Sequence, residues 1–413
     1  MTPLKFLKIS APVLFFNLAL FLALWAVMEL GWRIYVATRP AYDVLFLQPD
    51  RAVGWKQVPN LKWIWGGIHW YGRDFSVPIQ TNSLGFRDME HTIEKPENVI
   101  RIALLGDSLI EAVQVPFKKT AGHLLEKKLN ALRPVIGPKG HRLRYEVLNF
   151  GVSNYSVGQY LLVWENYVRQ YRPDFVFIFV AGFHMSRTIW KYEGGAFQST
   201  RGQQLWIRPT FRLENGRLIA EPARDYEVLV KVQKELIEKE FGGKFMRKRR
   251  PLTLVEMLIE NIKTRQQKAA EEKKQEKQDI TPHEPAGIKE PPLLEMSEET
   301  CQLNLKIIEE LGSQVRETGG QLVIFDLIKF FRESSMPFAL SMKAEAQRQG
   351  LGYVPLSDYL LEATKKDIDI QWRHDSHFNK TGNKILAEVM FDWLKENGSK
   401  NPRPESLNPK TGS

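Results

Sequence analysis

The sequence predicts an α/β fold on a parallel sheet, carried behind an N-terminal transmembrane helix and interrupted by a long insertion. Three observations predict it. Strand-like runs at 101–105, 145–150, 174–180, 321–327 and 352–355, the third almost wholly apolar, alternate with segments of helical character. Strands that alternate with helices form parallel sheets with right-handed crossovers. The first run stops at Gly106-Asp107-Ser108, so a serine stands at a strand-to-helix turn. Such turns lie at the carboxyl edge of the sheet, where open α/β folds keep their sites. The third observation is the stretch 11–28, apolar except for Asn17.

That stretch, at about 1.5 Å per residue, nearly crosses a hydrocarbon core of roughly 30 Å. Trp25, Trp32 and Tyr35 supply interfacial aromatics. A cleaved signal peptide is the competing reading, but its apolar region is normally shorter and no small-x-small site follows. An uncleaved anchor over 11–36, after a short tail at 1–10, is therefore expected. Lys5 and Lys8 stand against Arg33 and Arg39, so charge sets the orientation only weakly.

Residues 41–98 form an aromatic-rich pre-domain containing Trp55, Trp63, Trp65, Trp70 and Tyr71. Segments 64–68 and 75–81 pair as short strands, and 82–88 follow as a turn. The tryptophans suit either a sugar-stacking platform or, as is commoner at this density, a small core. The main domain spans 99–397. Its first strand, at 101–105, leads into a helix from Leu109 toward Lys128. A helix over 157–170 separates the second and third strands, and one over 298–318 precedes the fourth. A helix over 381–397 closes the domain.

An insertion at 186–297 splits the third strand from the fourth. It holds a hairpin turning at Glu214-Asn215-Gly216, a helical stretch, and a polar, proline-bearing run from Lys263 to Pro292 with the character of a solvated helix and a flexible loop. Residues 398–413 read as a disordered tail.

Composition narrows the function classes. Hydrophobic residues make up 43% of 413, enough for a sizeable core. Lys and Arg exceed Asp and Glu by 58 to 48, and Arg247-Lys248-Arg249-Arg250 is the visible basic cluster. A membrane surface explains such a cluster as well as nucleic acid does, and no interleaved aromatic signature accompanies it, so no nucleic-acid partner is expected. The single cysteine, Cys301, excludes an intramolecular disulfide and a thiolate zinc cluster.

The chemistry-bearing residues fall in three places. Ser108 reads as a nucleophile or, with Asp107, as a helix N-cap. In Arg373-His374-Asp375-Ser376-His377, an Asp two residues before a His can orient the imidazole. A serine needs such a base, because its hydroxyl is not ionised near neutral pH. His377 is preferred over His374 because it lies just before the final helix, though Asn379 or Thr381 also suit a simple cap. Three crowded ligands make a poor metal site, so no metal is expected. After the second strand, Asn149-Phe150-Gly151-Val152-Ser153-Asn154 offers Gly151, whose N–H can approach a substrate oxygen.

These blocks resemble those of the GDSL or SGNH hydrolases. Gly106-Asp107-Ser108-Leu109 is similar to that family's first block, Asn149-x-Gly151 to its glycine block and Asp375-x-His377 to its last. The likeness covers roughly 98–395 apart from the insertion. The segment 82–88 with an N-terminal anchor also resembles a bacterial membrane-anchored branch, related to alginate O-acetyltransferase-like domains. The resemblance implies a flavodoxin-like three-layer sandwich and an esterase-type mechanism without a cofactor. Ser108 is then the nucleophile, His377 the base and Asp375 its orienting partner. The Ser108 and Gly151 N–H groups form the oxyanion hole.

One block departs. Where the family carries Gly-x-Asn or Gly-Asn-Asp, this chain has Ala181-Gly182-Phe183-His184, leaving His184 or Asn154 as substitute donors. Loss of one oxyanion donor typically costs about 100- to 1,000-fold in turnover. The expectation is a membrane-anchored serine esterase, its catalytic domain extracytoplasmic, acting on acyl esters of an envelope carbohydrate or lipid. The alternatives are an O-acyltransferase on a polysaccharide and a catalytically inert glycan-binding scaffold. The sequence specifies no protein partner.

Overall fold

The computed structural model describes residues 11–37, 42–66, 74–131, 143–189, 192–193, 198–199, 202–203, 206–223, 226–248, 253, 255–256, 258–259, 262–263, 297–331, 336–373 and 375–398. The chain divides into two compact units, residues 1–44 with 246–284, and residues 45–245 with 285–413. The proline-bearing part of the insertion, the tail beyond Gly398, Trp70, Tyr71 and His374 lie outside the described residues.

In the first unit a helix runs from Ala11 to Ala37. Its segment Pro12–Tyr35 has a mean hydropathy of 2.2 with none of it buried, long and apolar enough to cross a membrane. Beyond it, Tyr42–Val44 pairs antiparallel with Met246–Lys248.

The second unit is organised on five parallel strands: β1 (Val99–Leu105), β2 (Arg144–Asn149), β3 (Phe175–Val180), β4 (Gln321–Asp326) and β5 (Gly352–Val354). Their spatial order is 2-1-3-4-5. This is the flavodoxin-like order, whose direction reverses between β1 and β3. All six residues of β3 are buried, as a strand covered on both faces requires. Ile102, Leu104, Phe177 and Phe325 pack on one face with Leu125, Leu360, Leu386 and Met390 from helices Ala121–Asn130, Leu356–Lys365 and Lys380–Asn397. The alternate residues Ala103, Leu105, Ile178 and Ile324 are equally buried on the other face. There, helices Val157–Val163 and Glu298–Glu317 pack on each other.

The edge of β2 is closed by side chains. Its outward N–H groups donate to Asn130 Oδ1 from Tyr145 (3.0 Å), to Glu126 Oε2 from Val147 (2.9 Å) and to Asp88 Oδ2 from Asn149 (2.7 Å). An exposed row of strand donors invites pairing with another chain, and these acceptors occupy it.

The structure corrects one expectation about the elements. The helix expected from Leu109 toward Lys128 is broken: a single turn, Ser108–Glu111, ends at Ala112 (φ +54°), and a helix restarts only at Ala121, capped by Thr120. Pro116 cannot donate a helical hydrogen bond. The freed carbonyls of Glu111, Ala112 and Val115 instead accept from the buried Arg87 guanidinium. From Leu45 onward, residues 45–98 belong to the unit of the sheet. Trp55 and Trp63 are buried, and Trp55 Nε1 donates to Ser153 O at 3.1 Å, so these two rings serve packing. The insertion is partly built into the same unit. Its hairpin Thr210–Glu214/Arg217–Glu221 turns at Asn215 and Gly216, both with positive φ, and Phe211 packs so closely on Gly158 that a Cβ there would lie 2.3 Å from the ring.

Candidate active site

The seam between β1 and β3 is where an open α/β sheet leaves a crevice at its carboxyl edge. Asp107 and Ser108 follow β1 directly. Gly106 allows the turn because a Cβ there would lie 2.3 Å from Ile110. Asp107 is the N-cap of the Ser108–Glu111 turn, with Oδ1 accepting from Leu109 N at 2.9 Å. The cap and the serine are thus separate residues, and Ser108 is left to face outward.

His377 comes from the far end of the chain. It lies on the short strand Asp375–Phe378, just before Asn379, which caps the last helix by accepting from Thr381 N (2.8 Å) and Gly382 N (3.1 Å). That helix is tied to the helix after Ser108, because Asn383 Oδ1 accepts from Ala121 N at 3.1 Å. Across 269 residues of sequence, His377 Nε2 lies 2.8 Å from Ser108 Oγ. His377 Nδ1 lies 2.5 Å from Asp375 Oδ1, which also accepts from His377 N at 2.8 Å. An ionised carboxylate only accepts, so Nδ1 carries the proton and Nε2 is free to accept from the serine hydroxyl. Burial lowers the His377 pKa, but the hydrogen bond and charge of Asp375, with the charges of Asp107 and Glu111, outweigh it and leave it raised.

The expected oxyanion donors are arranged differently. The Gly151 N–H donates to Asn149 Oδ1 at 2.9 Å, closing the end of β2 in an Asx turn, so it does not point at a substrate oxygen as the sequence predicts. Gly151 is instead required for close packing: a Cβ there would lie 2.6 Å from Glu111 N. His184 is also turned away. Its Nδ1 accepts from Ala181 N at 3.0 Å, and Nε2 lies 2.9 Å from Asp107 Oδ2, near but off the line of a well-formed hydrogen bond. Phe183 packs edge-on against Phe331 at 5.2 Å with the Arg187 guanidinium 4.7 Å above its ring, and offers no donor.

Asn154 is the remaining candidate. It holds the left-handed φ of +65°, fixed by its carbonyl accepting from the buried Arg208 Nη1 at 2.6 Å. Among the described residues, the Ser108 and Asn154 N–H groups have no acceptor. Arg208 belongs to the insertion, so the insertion shapes this loop.

Sequence reasoning missed a buried layer beneath these residues. Glu111, fully buried, accepts from Gln57 Nε2 and Ser153 Oγ. Asp107 Oδ2 also meets Arg187 Nη1 at 3.1 Å. Burial would raise the Asp107 pKa, but His184, Arg187 and the Leu109 N–H hold it well below the ordinary range. The available signal was a glutamate inside the apolar run Leu109-Ile110-Glu111-Ala112-Val113, because a charge at such a position needs partners.

No family model matches the chain, and no curated protein matches it in sequence. Among solved structures it is similar to a lipolytic protein of the G-D-S-L family from Veillonella parvula, at 10% identity over 72% of this chain and 98% of that one, with a TM-score of 0.35. It is also similar to the acetylxylan esterase Axe2 from Geobacillus stearothermophilus, at 12% identity over 72% and 94%, with a TM-score of 0.36.

Proposed function

We propose that the protein is a membrane-anchored serine ester hydrolase of the GDSL/SGNH type, acting on acyl esters of an envelope carbohydrate or lipid. The hydrogen-bonded series Ser108 Oγ, His377 Nε2, His377 Nδ1, Asp375 Oδ1 carries this reading. Ser108 Oγ attacks the ester carbonyl while His377 Nε2 takes its proton. Asp375 holds the tautomer and stabilises the imidazolium. The Ser108 and Asn154 N–H groups face the developing oxyanion, in place of the Gly151 N–H. His377 then returns the proton to the leaving alcohol, and water, activated by the same nitrogen, releases the acyl group from Ser108. Residues 11–36 hold the chain in a bacterial cell membrane with the catalytic domain outside the cytoplasm.

Fluorophosphonate labelling of the full chain in detergent tests the chemistry. Labelling at Ser108, absent in Ser108→Ala and His377→Ala, is the expected result. A folded wild-type chain that takes no label, beside a reactive serine hydrolase control, would remove the hydrolase reading.

A further inference from the structure

Three half-buried phenylalanines beside the triad take no part in moving the proton. Phe183 lies in the helix Gly182–Arg187 that follows β3, and Phe330 and Phe331 end the turn Ile328–Phe331 that follows β4. β1 pairs with β3 through Leu105 and Ile178, and β3 pairs with β4 through Val180 and Asp326. In the order 2-1-3-4-5, these rings follow strands on one side of β1, and the Asn154 loop follows β2 on the other. The rings touch one another and reach the histidine strand. Phe183 meets Phe331 edge-on at 5.2 Å, and Phe331 meets Phe330 at 5.0 Å. Phe330 and Phe331 lie 6.0 and 6.3 Å from Phe378, the buried neighbour of His377. Each end of this group is fixed. The Arg187 guanidinium, 4.7 Å above the Phe183 ring, bonds Asp107 directly before Ser108. Phe330 N donates to Ser357 Oγ at 3.1 Å, which donates in turn to Asp326 O at 3.0 Å. Single apolar side chains at a surface need no explanation, whereas a contiguous set at a site does.

We propose that Phe183, Phe330 and Phe331 form an acyl-binding wall that selects esters of an apolar chain several carbons long over acetyl esters. The inference rests on the reading of Ser108 as the nucleophile and goes further by naming the acyl class. The direction of the ester follows from the groups around Ser108. A carbonyl oxygen placed at the Ser108 and Asn154 N–H groups lies toward β2. The leaving oxygen must reach His377 Nε2, which gives it the proton. The acyl carbon chain is then left on the side of β3 and β4, against the rings. This group stays on Ser108 Oγ after the alcohol has gone, so a surface that holds it also keeps the carbonyl aligned for water. A single methyl covers little of such a wall, while each further methylene removes more apolar surface from water.

The test compares kcat/KM of the full chain in one detergent on p-nitrophenyl acetate, butyrate and hexanoate. A fully buried methylene gains about fourfold, and a one-sided wall half of that free energy, so the rate should rise roughly twofold per methylene, by on the order of tenfold from acetate to hexanoate. Phe331→Ala and Phe183→Ala should each pull the hexanoate-to-acetate ratio toward one, while Phe331→Leu, still apolar, should keep most of it. Because the ratio is taken within one protein, a general loss of folding or catalysis cancels. Acetate as the fastest ester of the wild type overturns the wall and spares the hydrolase reading. A hexanoate preference that both alanine variants retain places the chain elsewhere and equally overturns it. No turnover of any ester, with no fluorophosphonate label on Ser108, removes the hydrolase reading and the wall with it.

Discussion

Glu111 Oε2 accepts a hydrogen bond from Ser153 Oγ, and this bond ties the turn that carries Ser108 to the loop that carries Asn154. Gln57 Nε2 donates to the other oxygen. Burial pushes the Glu111 carboxyl up to about 7, against those hydrogen bonds and the charge of Arg87. The folded chain thus holds a proton there that the unfolded chain, near the ordinary 4.5, has already released. The stability this proton lends is complete below about pH 4.5 and is lost as pH rises through about 7. A shift of that size corresponds to on the order of 3 kcal/mol. Glu111→Gln should remove this slope, so its stability relative to wild type should rise by that order between pH 4.5 and 8. Denaturant unfolding at the two ends checks it, and a constant difference between the proteins would refute it.

The acid limb of the reaction should report His377. Nε2 must be unprotonated to accept from Ser108, and the Asp375 contact raises the pKa above the ordinary 6.5. Hydrolysis of a general ester should therefore lose kcat/KM as pH falls through a value above 6.5. Asp375→Asn removes the carboxylate that favours the imidazolium. The limb should move to lower pH and the rate should fall by about 100- to 10,000-fold. An unmoved limb would mean that another group controls it.

The central sheet was legible because buried parallel strands read as apolar runs, as in β3 and β4, while β2 and β5, only partly buried, were marked by their flanking glycines. The serine, histidine and aspartate were legible because each lies at an element boundary marked by Gly106 or Asn379. What escaped is what depends on three-dimensional closure. After the break at Glu111, the freed carbonyls of Glu111 and Val115 are satisfied by Arg87, a residue far from the apolar period that suggested a longer helix. The turning of Gly151 away from the site depends on the Asn149 side chain, and the shape of Asn154 on Arg208 across the insertion. Helices Met336–Gln349 and Leu356–Lys365 were not anticipated, although the second is clearly amphipathic, with Leu356, Leu360 and Ala363 buried on one face.

Asp107 should be a stability residue as well as a cap. It faces Arg187 and His184 in a dry site, and removing one member of a buried ion pair strands the other. Asp107→Asn should cost about 3–5 kcal/mol at neutral pH. Because the folded pKa is depressed, the stability it lends is present above about 3.8 and is lost as pH falls below that. Adding Arg187→Met should recover part of the loss. Denaturant unfolding of the double variant checks this: additive losses would show that the two residues act independently.

Gly151→Ala keeps its N–H but adds a Cβ 2.6 Å from Glu111 N and 2.9 Å from Ile110 C. The turn carrying Ser108 must shift to admit it. A displacement near 1 Å at a reacting group costs on the order of 100-fold, so kcat should fall by about that much with little change in KM. Full activity would mean that the loop yields without moving the serine.

Asn154→Gly separates the two ways in which Asn154 can serve an oxyanion. Glycine keeps the backbone N–H and adopts the φ of +65° without strain, while the side-chain amide is lost. If the backbone N–H is the donor, kcat should stay within a few-fold of wild type. A loss of about 100- to 1,000-fold, the usual effect of deleting one oxyanion donor, would transfer the role to the side chain. Asn154→Ala adds a control: it retains the N–H but lacks the amide that helps asparagine tolerate the left-handed region. It should therefore lose about 1 kcal/mol of stability while its kcat follows that of the glycine variant. A large drop in kcat in the alanine variant that the glycine variant does not show would mean that the backbone conformation at Asn154, rather than either donor, limits the reaction.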